Sequence, residues 1–425
     1  MKKLLSNQPL KGTADWFPEE FRIRKYIFDT WRKVCLGYGY EEYLAPLVEN
    51  ADIYRAKSGE ETGGTELITI KREGDEFAIR PEMTPSVTRM ISQIYDSTAK
   101  PIRYFSIANF MRFQKPQRGR NREFWQLNYD IFGSNNLAAD IEILQIALDI
   151  MLAFGSPKGS FSLCLNNRKL VDNLLEGVMK INYNQKTDVI RLMDKWDKLS
   201  KNDFILSLKD LRLDNLQTEK VVDFLSAKNI ADLIEKIPEL EDNQGLIEIQ
   251  NIIETLQKLG YKDWICFQPN VIRGLDYYDG MIFEVYDNHV SNRRAMFGGG
   301  RYNGLAEIFG KQSFPAVGCA PGDETIRLFL ESWNLIKKIE NKNEIYYLPI
   351  LDESLTLTSQ KIANQLRKKG VNVEISLEPQ KLGKALDYAN KKSIAKVIIF
   401  GELERKKGIY KVKDMVSGKE KRIKL

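Results

Sequence analysis

Between Asn166 and Leu259 the chain changes character, and that change limits what it can fold into. Leu, Ile, Lys, Asp and Asn recur there at helical spacing with few glycines, whereas the flanking sequence is strand-like and rich in glycine. Helical sequence set inside strand-rich sequence reads as an insertion into a sheet-based domain. At 425 residues the chain exceeds one ordinary domain, so two or three folding units are expected. The boundaries read as 1–165 with 260–331 for the sheet-based domain, 166–259 for the insert, 332–343 for a polar linker and 344–425 for a last module.

Local patterns fill in this outline. Residues 18–37 read as an amphipathic helix, with Pro18 at its start, Glu19 and Glu20 where the dipole favours anions, and Gly37-Tyr38-Gly39 stopping it. Tyr40 to Val48 reads as one strand whose Pro46 points to an edge or interface. Phe77 to Arg80 and Ile102 to Ile107 also read as strands. Glu123 to Phe132 alternates, placing Phe124, Gln126, Asn128 and Asp130 on one face that is either solvated or lines a polar pocket. Beyond the linker, strands at 345–350, 371–375 and 397–400 alternate with helices at 355–369 and 381–392, predicting a small α/β module with a mainly parallel sheet.

Composition excludes several classes. The sequence is 43% apolar and 29% charged, as in an ordinary soluble globular protein. The opening basic-then-apolar run ends after two residues, too short for a signal peptide, and no apolar run could span a bilayer, so a cytoplasmic protein is expected. Cys35, Cys164, Cys266 and Cys319 are scattered, with no Cys-x-x-Cys to suggest zinc or a disulfide framework. His289 is the single histidine, which excludes paired-histidine zinc ligation and leaves any chemistry to Arg, carboxylates, amides and bound ions. Charge is uneven: residues 344–425 carry a net +8 and the remainder −2, the footprint of a module that meets a polyanion such as RNA.

Three clusters stand out. One is Arg80-Pro81-Glu82-Met83-Thr84-Pro85 after a strand. Another runs from Asn109-Phe110-Met111-Arg112 through the basic loop Gln117-Arg118-Gly119-Arg120-Asn121-Arg122 to the strand holding Phe124, Gln126 and Asp130. The last joins Arg273-Gly274-Leu275-Asp276-Tyr277-Tyr278 to Gly298-Gly299-Gly300-Arg301-Tyr302. Arginine's planar fork suits phosphate, and a glycine run lets backbone approach a ligand closely. No phosphate-binding Gly-x-x-x-x-Gly-Lys-Ser/Thr is present.

With Lys11-Gly12-Thr13-Ala14-Asp15 ahead of them, these strings occur in the order found in histidyl-tRNA synthetases, and the chain resembles that family over its whole length. The Arg-Gly-Leu-Asp-Tyr-Tyr string is the most specific part. The resemblance implies an α/β (α+β) chain: a class II antiparallel-sheet catalytic domain with a helical insert, followed by an anticodon-binding domain. It implies ATP with Mg2+, L-histidine and tRNA(His) as ligands, and a homodimer through the 18–48 region. Carried over by motif, Arg112 and Arg273 are the catalytic pair, meeting the α-phosphate and the histidine carboxylate from opposite sides. Glu82, Thr84 and Gln126 hold the ammonium group, Asp130, Tyr277 and Tyr278 line the rest of the amino-acid site, and Arg120 and Phe124 join Arg112 on ATP. Gln117 and Arg122 reach the acceptor end of tRNA; metal ligands are not implied. Adenylation joins two anions and needs no general base, so a site without histidine is chemically sufficient.

Three departures mark a subtype. Thr325 stands where many members have an arginine for the γ-phosphate, and Arg327, two residues on along a helix, points elsewhere. Met83 replaces a common glycine, and Asp130 is one methylene shorter than the usual glutamate. The main rival is the non-catalytic, histidine-binding paralogue that regulates ATP phosphoribosyltransferase, a group that lacks the C-terminal domain and erodes the activation residues. The basic C-terminal module, Arg112 and Arg273 argue against it.

Overall fold

The computed structural model describes residues 5–56, 58–59, 61–272, 277–292, 294–336 and 345–425. It divides into two compact units, residues 1–338 and 339–425.

In the first unit, helix α1 (Pro18–Gly37) spans the residues expected of it, with Gly39 at φ +78° turning the chain at its end. The run after it is not one strand. Glu41–Glu42 (β1) and Val48–Asn50 (β2) belong to different sheets, because Pro46 interrupts the ladder and Arg80 takes the Ala45 and Pro46 carbonyls at 2.7 and 3.4 Å. A short helix α2 (Asp52–Arg55) follows, then β3 (Ile68–Arg72) and β4 (Asp75–Ile79), which complete a three-stranded sheet with β2. Helix α3 (Thr84–Ile94) leads to two long paired strands, β5 (Ile102–Met111) and β6 (Glu123–Phe132), and then to α4 (Leu137–Ala153) and β7 (Phe161–Asn167).

The insert is helical as expected: α5 (Arg168–Asp172), α6 (Tyr183–Met193), α7 (Lys201–Asp210), α8 (Asn215–Ser226), α9 (Ile230–Lys236) and α10 (Gln244–Lys258). Side chains cap these helices repeatedly; Asp214 and Gln217 form a reciprocal capping box on α8. Its apolar core includes Leu170, Phe204, Phe224, Leu246 and Ile249. Helix α10 does not stay within it. Ile252 and Leu256, one and two turns further on, pack into the core of the host domain.

Strands β8 (Ile265–Phe267), β9 (Met281–Asp287), β10 (Ala295–Arg301) and β11 (Ala316–Cys319) close an eight-stranded sheet in the order β1-β5-β6-β11-β10-β9-β7-β8, antiparallel except at its two ends. One face is covered by α1, α4 and α11 (Asp323–Ser332), with Trp31, Phe105, Tyr129, Ile143 and Phe329 in the core. The linker expected from 332 starts later: Leu335 is buried in this core and Trp333 Nε1 donates to Asp287 Oδ1 at 2.9 Å. The opposite face carries α3 and a second cluster of Met83, Phe110, Tyr277, Tyr278 and Tyr302. This is the face on which β6 presents Phe124, Gln126, Asn128 and Asp130.

The second unit has a five-stranded sheet, β13-β12-β14-β15-β16, built from β12 (Ile345–Leu348), β13 (Asn372–Ile375), β14 (Lys396–Ile399), β15 (Ile409–Asp414) and β16 (Glu420–Lys424). Helices α12 (Thr356–Lys368) and α13 (Leu382–Lys391) cover opposite faces, each over its own apolar cluster, and a short α14 (Glu402–Lys406) precedes β15. The first three strands are parallel, as expected, but the sheet ends in an antiparallel hairpin that the sequence reading did not include. Lysines at 411, 413, 419, 421 and 424 with Arg422 fill that hairpin and obscure its alternation. No helix among the described residues is long and apolar enough to cross a membrane.

Candidate active site

The Arg80-to-Pro85 cluster works as a junction. Arg80 is buried and fully engaged: besides the two carbonyls above, Nε donates to Asn109 O at 2.8 Å and Nη2 to Asn109 Oδ1 at 3.2 Å. It clamps the end of β4 to β5, and so fixes Pro81 and Glu82 beside the strand that ends in Arg112. Arg112 Nε donates to Pro81 O at 3.0 Å, and its guanidinium lies 5.3 Å from the Phe124 ring centroid. Burial pulls Arg112 below its usual pKa, while Glu82 and Glu66 act in the other direction. Phe124 stacks on Phe110 with centroids 5.8 Å apart. The buried Glu82 accepts a hydrogen bond from Tyr277 Oη at 3.2 Å, and the Tyr277 and Tyr278 rings lie 4.8 Å apart. Thr84 opens α3 two residues beyond Glu82, its carbonyl accepting from Thr88 Oγ1.

The glycines make a floor beside this group. Asp130 pairs across the sheet with Gly318, which pairs with Gly300. A Cβ on Gly318 would fall 1.8 Å from Asp130 Oδ1, and one on Gly300 would fall 2.9 Å from the Tyr278 ring. The bare backbone is therefore required by what lies against it. Tyr302 Oη donates to Asp130 Oδ1 at 2.6 Å, and its ring stands 5.8 Å from that of Tyr277. Asp130 is 3% exposed, and burial pushes its carboxyl up to about 7, against the opposing effect of the Tyr302 hydrogen bond.

Beyond Asp130 the same face is polar. Ser106 sits opposite Asn128, and Ala108 opposite Gln126. Ser106 Oγ, Gln126 Oε1, Asn128 Oδ1 and Asp130 Oδ2 are buried with no hydrogen-bond partner among the described residues. One such atom costs about 1–3 kcal/mol, so four along two paired strands mark a surface built for a polar ligand.

The sequence-expected residues thus divide. Glu82, Arg112, Phe124, Gln126, Asp130, Tyr277 and Tyr278 share the face, with Thr84 at its edge. Arg273, with residues 274–276, lies outside the described residues. Gln117 and Arg120 close a tight turn by exchanging backbone hydrogen bonds around Gly119, and Gln117 Oε1 accepts from Arg294. Arg122 is occupied within the protein. Its Nε and Nη1 donate to the Gln114 and Lys11 carbonyls, and it lies over Phe113 at 4.2 Å. That packing explains the Lys11-Gly12-Thr13 string: Gly12 holds φ +91°, its carbonyl accepts from Arg122 N, and a Cβ there would strike Arg122 Cγ at 2.8 Å.

Tyr302, Asn128 and Ser106 were not among the expected site residues. Asn128 stood on the alternating face of β6 and Tyr302 ended the glycine string, but neither had a role assigned; Ser106 gave no signal without the strand register. At the start of α11, Thr325 Oγ1 donates to Met296 O and Gly322 O, so it serves the strand–helix junction. Arg327 is held on its own helix by Glu324 and Glu331.

The family model described as histidyl-tRNA synthetase matches residues 12–326, and one for an anticodon binding domain matches residues 340–425. The chain belongs to the histidyl-tRNA synthetase family. It is 39% identical over 97% of its length to a histidine–tRNA ligase of Leptospira biflexa, covering 94% of that protein, and 34% identical over 98% to one of Pyrococcus furiosus, covering 96%. The fold matches the crystal structure of histidyl-tRNA synthetase from Nostoc sp. PCC 7120, with TM-score 0.79, 23% identity and coverage of 99% of this chain and 97% of that one. A Bacillus halodurans chain described as an ATP phosphoribosyltransferase regulatory subunit/histidyl-tRNA synthetase is matched with TM-score 0.73 and 21% identity, over 92% of this chain and 97% of that one. The eight-stranded sheet lies within the residues matched by the synthetase family model.

Proposed function

We propose that this chain activates L-histidine with ATP and transfers it to tRNA(His). The observation that carries this reading is Asp130: a buried carboxylate, oriented by Tyr302, with its second oxygen free to accept from an imidazole N–H at the end of a polar groove. Glu82, Thr84 and Gln126 hold the ammonium group, which leaves the histidine carboxylate facing Arg112. Phe124, backed by Phe110, offers its ring to adenine.

In activation a carboxylate oxygen of histidine forms a bond to the α-phosphorus as the bond to pyrophosphate breaks. Both partners are anions. Arg112, positioned by Pro81 and partly desolvated, offsets that repulsion most strongly in the transition state, and Arg273 takes the partner role that its family motif assigns it. The carboxylate is already ionised, so no proton is removed. Among the described residues no group of three or more His, Cys, Asp or Glu could hold a metal. Magnesium bound with the phosphates of ATP would supply positive charge to the leaving group. With Thr325 and Arg327 otherwise engaged, Arg120 is the cation assigned to the outer phosphates.

ATP–pyrophosphate exchange measured across the amino acids tests this directly. Exchange dependent on histidine alone is expected; no exchange with any amino acid would favour the regulatory paralogue. That rival is disfavoured by the C-terminal match to an anticodon binding domain.

The second unit is assigned to tRNA on the strength of that match and its net charge of +8. A chain ending at Asn343 is expected to form histidyl-adenylate normally but to charge tRNA at least about tenfold less efficiently, with the full chain's charging more sensitive to salt. Undiminished charging by the folded short chain would refute the assignment.

Homodimerisation is assigned to the region from α1 to β2. Phe17 just before α1, Phe21 within it, and Leu44, Leu47 and Val48 beyond it are all exposed, Phe17 by 68% and Leu44 by 66%. A second copy meeting the same patch would bury it on both sides of a two-fold axis. Sedimentation at micromolar concentration should give about twice the chain mass; a monomer would count against the assignment.

A further inference from the structure

The sheet edge next to the site holds two thiols that the reaction does not use. Cys164 on β7 and Cys266 on β8 face each other in parallel register, flanked by the pairs Leu163–Ile265 and Leu165–Phe267. Neighbouring strands run about 4.8 Å apart, and disulfides accept Cα separations of about 4.4–6.8 Å. Both cysteines belong to the apolar cluster on the ligand face, which also contains Tyr278 and Val271. We propose that Cys164 and Cys266 form a reversible disulfide that responds to peroxide and slows histidine activation.

The pair is asymmetric in a way that suits this chemistry. Cys164 is buried and Cys266 half-buried. The proximity of the two thiols, with burial, raises the pKa of Cys164 and favours ionisation of Cys266. The half-buried Cys266 sulfur is the one that peroxide can reach first. Cys266 as thiolate attacks one oxygen of hydrogen peroxide; the O–O bond breaks, leaving a sulfenic acid on Cys266 and, after proton uptake, one water. The Cys164 sulfur then attacks the Cys266 sulfur. The S–S bond forms, the S–OH bond breaks, and the hydroxide leaves with the Cys164 proton as a second water. Two thiols lose two electrons, and one peroxide gains them. Cys35 and Cys319 are both buried in the other core, and burial raises the Cys35 thiol, so they are poor targets.

The link to the site is structural. β8 has only three residues and forms the end of the sheet. Just beyond it, Gln268 N donates to Leu165 O, and the buried Asn166, two residues from Cys164, donates from Nδ2 to Pro269 O at 2.8 Å and Val271 O at 3.0 Å. Pulling the two strands into disulfide geometry moves this clamp on Pro269 and Val271, and Val271 shares an apolar cluster with Tyr277 and Tyr278. A shift of about 1 Å at a positioning element can cost up to ~10²-fold, so a fall in activation on the order of tenfold is expected.

The test treats the full-length chain with hydrogen peroxide, then measures intact mass, thiol alkylation and histidine-dependent pyrophosphate exchange before and after dithiothreitol. The expected result is loss of two hydrogens, a Cys164–Cys266 linked peptide, about tenfold slower exchange and recovery in reductant. Cys266→Ser, Cys266→Ala and Cys164→Ser should keep their activity in peroxide; thermal melting confirms which variants are folded. Free Cys164 and Cys266 after peroxide would overturn the proposal, as would a complete disulfide with unchanged exchange. The consequence for activation rests on the ligase reading, but the bond itself is measured without it. Absence of exchange in fully reduced chain would refute the ligase reading and leave the thiol pair standing.

Discussion

Arg112→Ala is expected to lower the rate of adenylate formation by about two to three orders of magnitude, the range for losing one preorganised transition-state donor. The guanidinium sits where β5 ends, fixed by the Pro81 carbonyl and flanked by Glu82 and Phe124. Arg112→Lys should restore little, because an ammonium carries the charge without the fork that spans carboxylate and phosphate. A merely structural Arg112 makes a different prediction. Its loss would free the Pro81 carbonyl, lower the melting temperature and weaken every step alike. Single-turnover adenylation beside thermal melting separates the two. Near wild-type activation by Arg112→Ala would sink the assignment of this face as the active site.

Asp130→Asn is expected to raise the KM for histidine about 10- to 100-fold, from loss of a hydrogen bond to a charged group worth about 1.5–3 kcal/mol. The pH dependence gives a sharper signature. Burial raises the Asp130 carboxyl to about 7, far above the roughly 3.9 of an unfolded chain. The sign follows from linkage. Below about pH 4 both states are protonated and the group contributes nothing; from there to about pH 7 the unfolded chain gains stability by ionising, and above that the penalty to the fold is constant. Relative to wild type, Asp130→Asn should therefore gain stability as pH rises from about 4 to 7. For catalysis, the wild-type kcat/KM for histidine should climb through about pH 7 as the carboxylate forms and then level off, and the variant should lack that limb. A variant profile that keeps the limb would assign it to the imidazole of free histidine and remove Asp130 from the recognition scheme.

Much of the architecture was legible because it is written in local patterns. Helix α1 could be bounded from Pro18 and Gly37-Tyr38-Gly39, and β6 from its alternation; the glycine-poor stretch located the insert. What failed depends on contacts between distant segments. The run from Tyr40 to Val48 reads as one strand until Arg80, more than thirty residues away, takes the carbonyls that would continue the ladder. Tyr302 joins the site only because the register of β6, β11 and β10 brings Gly318 and Gly300 across from Asp130. Arg122 sits in a basic loop, which points to RNA, and the sequence did not show that its guanidinium also ties down the segment around Gly12. Charge type was visible in the sequence; its commitment to neighbours was not.

Helix α10 gives the helical insert a property that its separate core would not suggest. Leu246 and Ile249 serve the insert, while Ile252 and Leu256 form part of the wall behind the catalytic sheet. The inserted segment therefore cannot be excised as a cassette. Deleting residues 166–259 would open the host core along two turns of helix, whereas a cut placed before Gln244 would spare it. The same continuity couples the two cores mechanically: a displacement of α10 would be carried into the layer on the face of the sheet opposite Asp130.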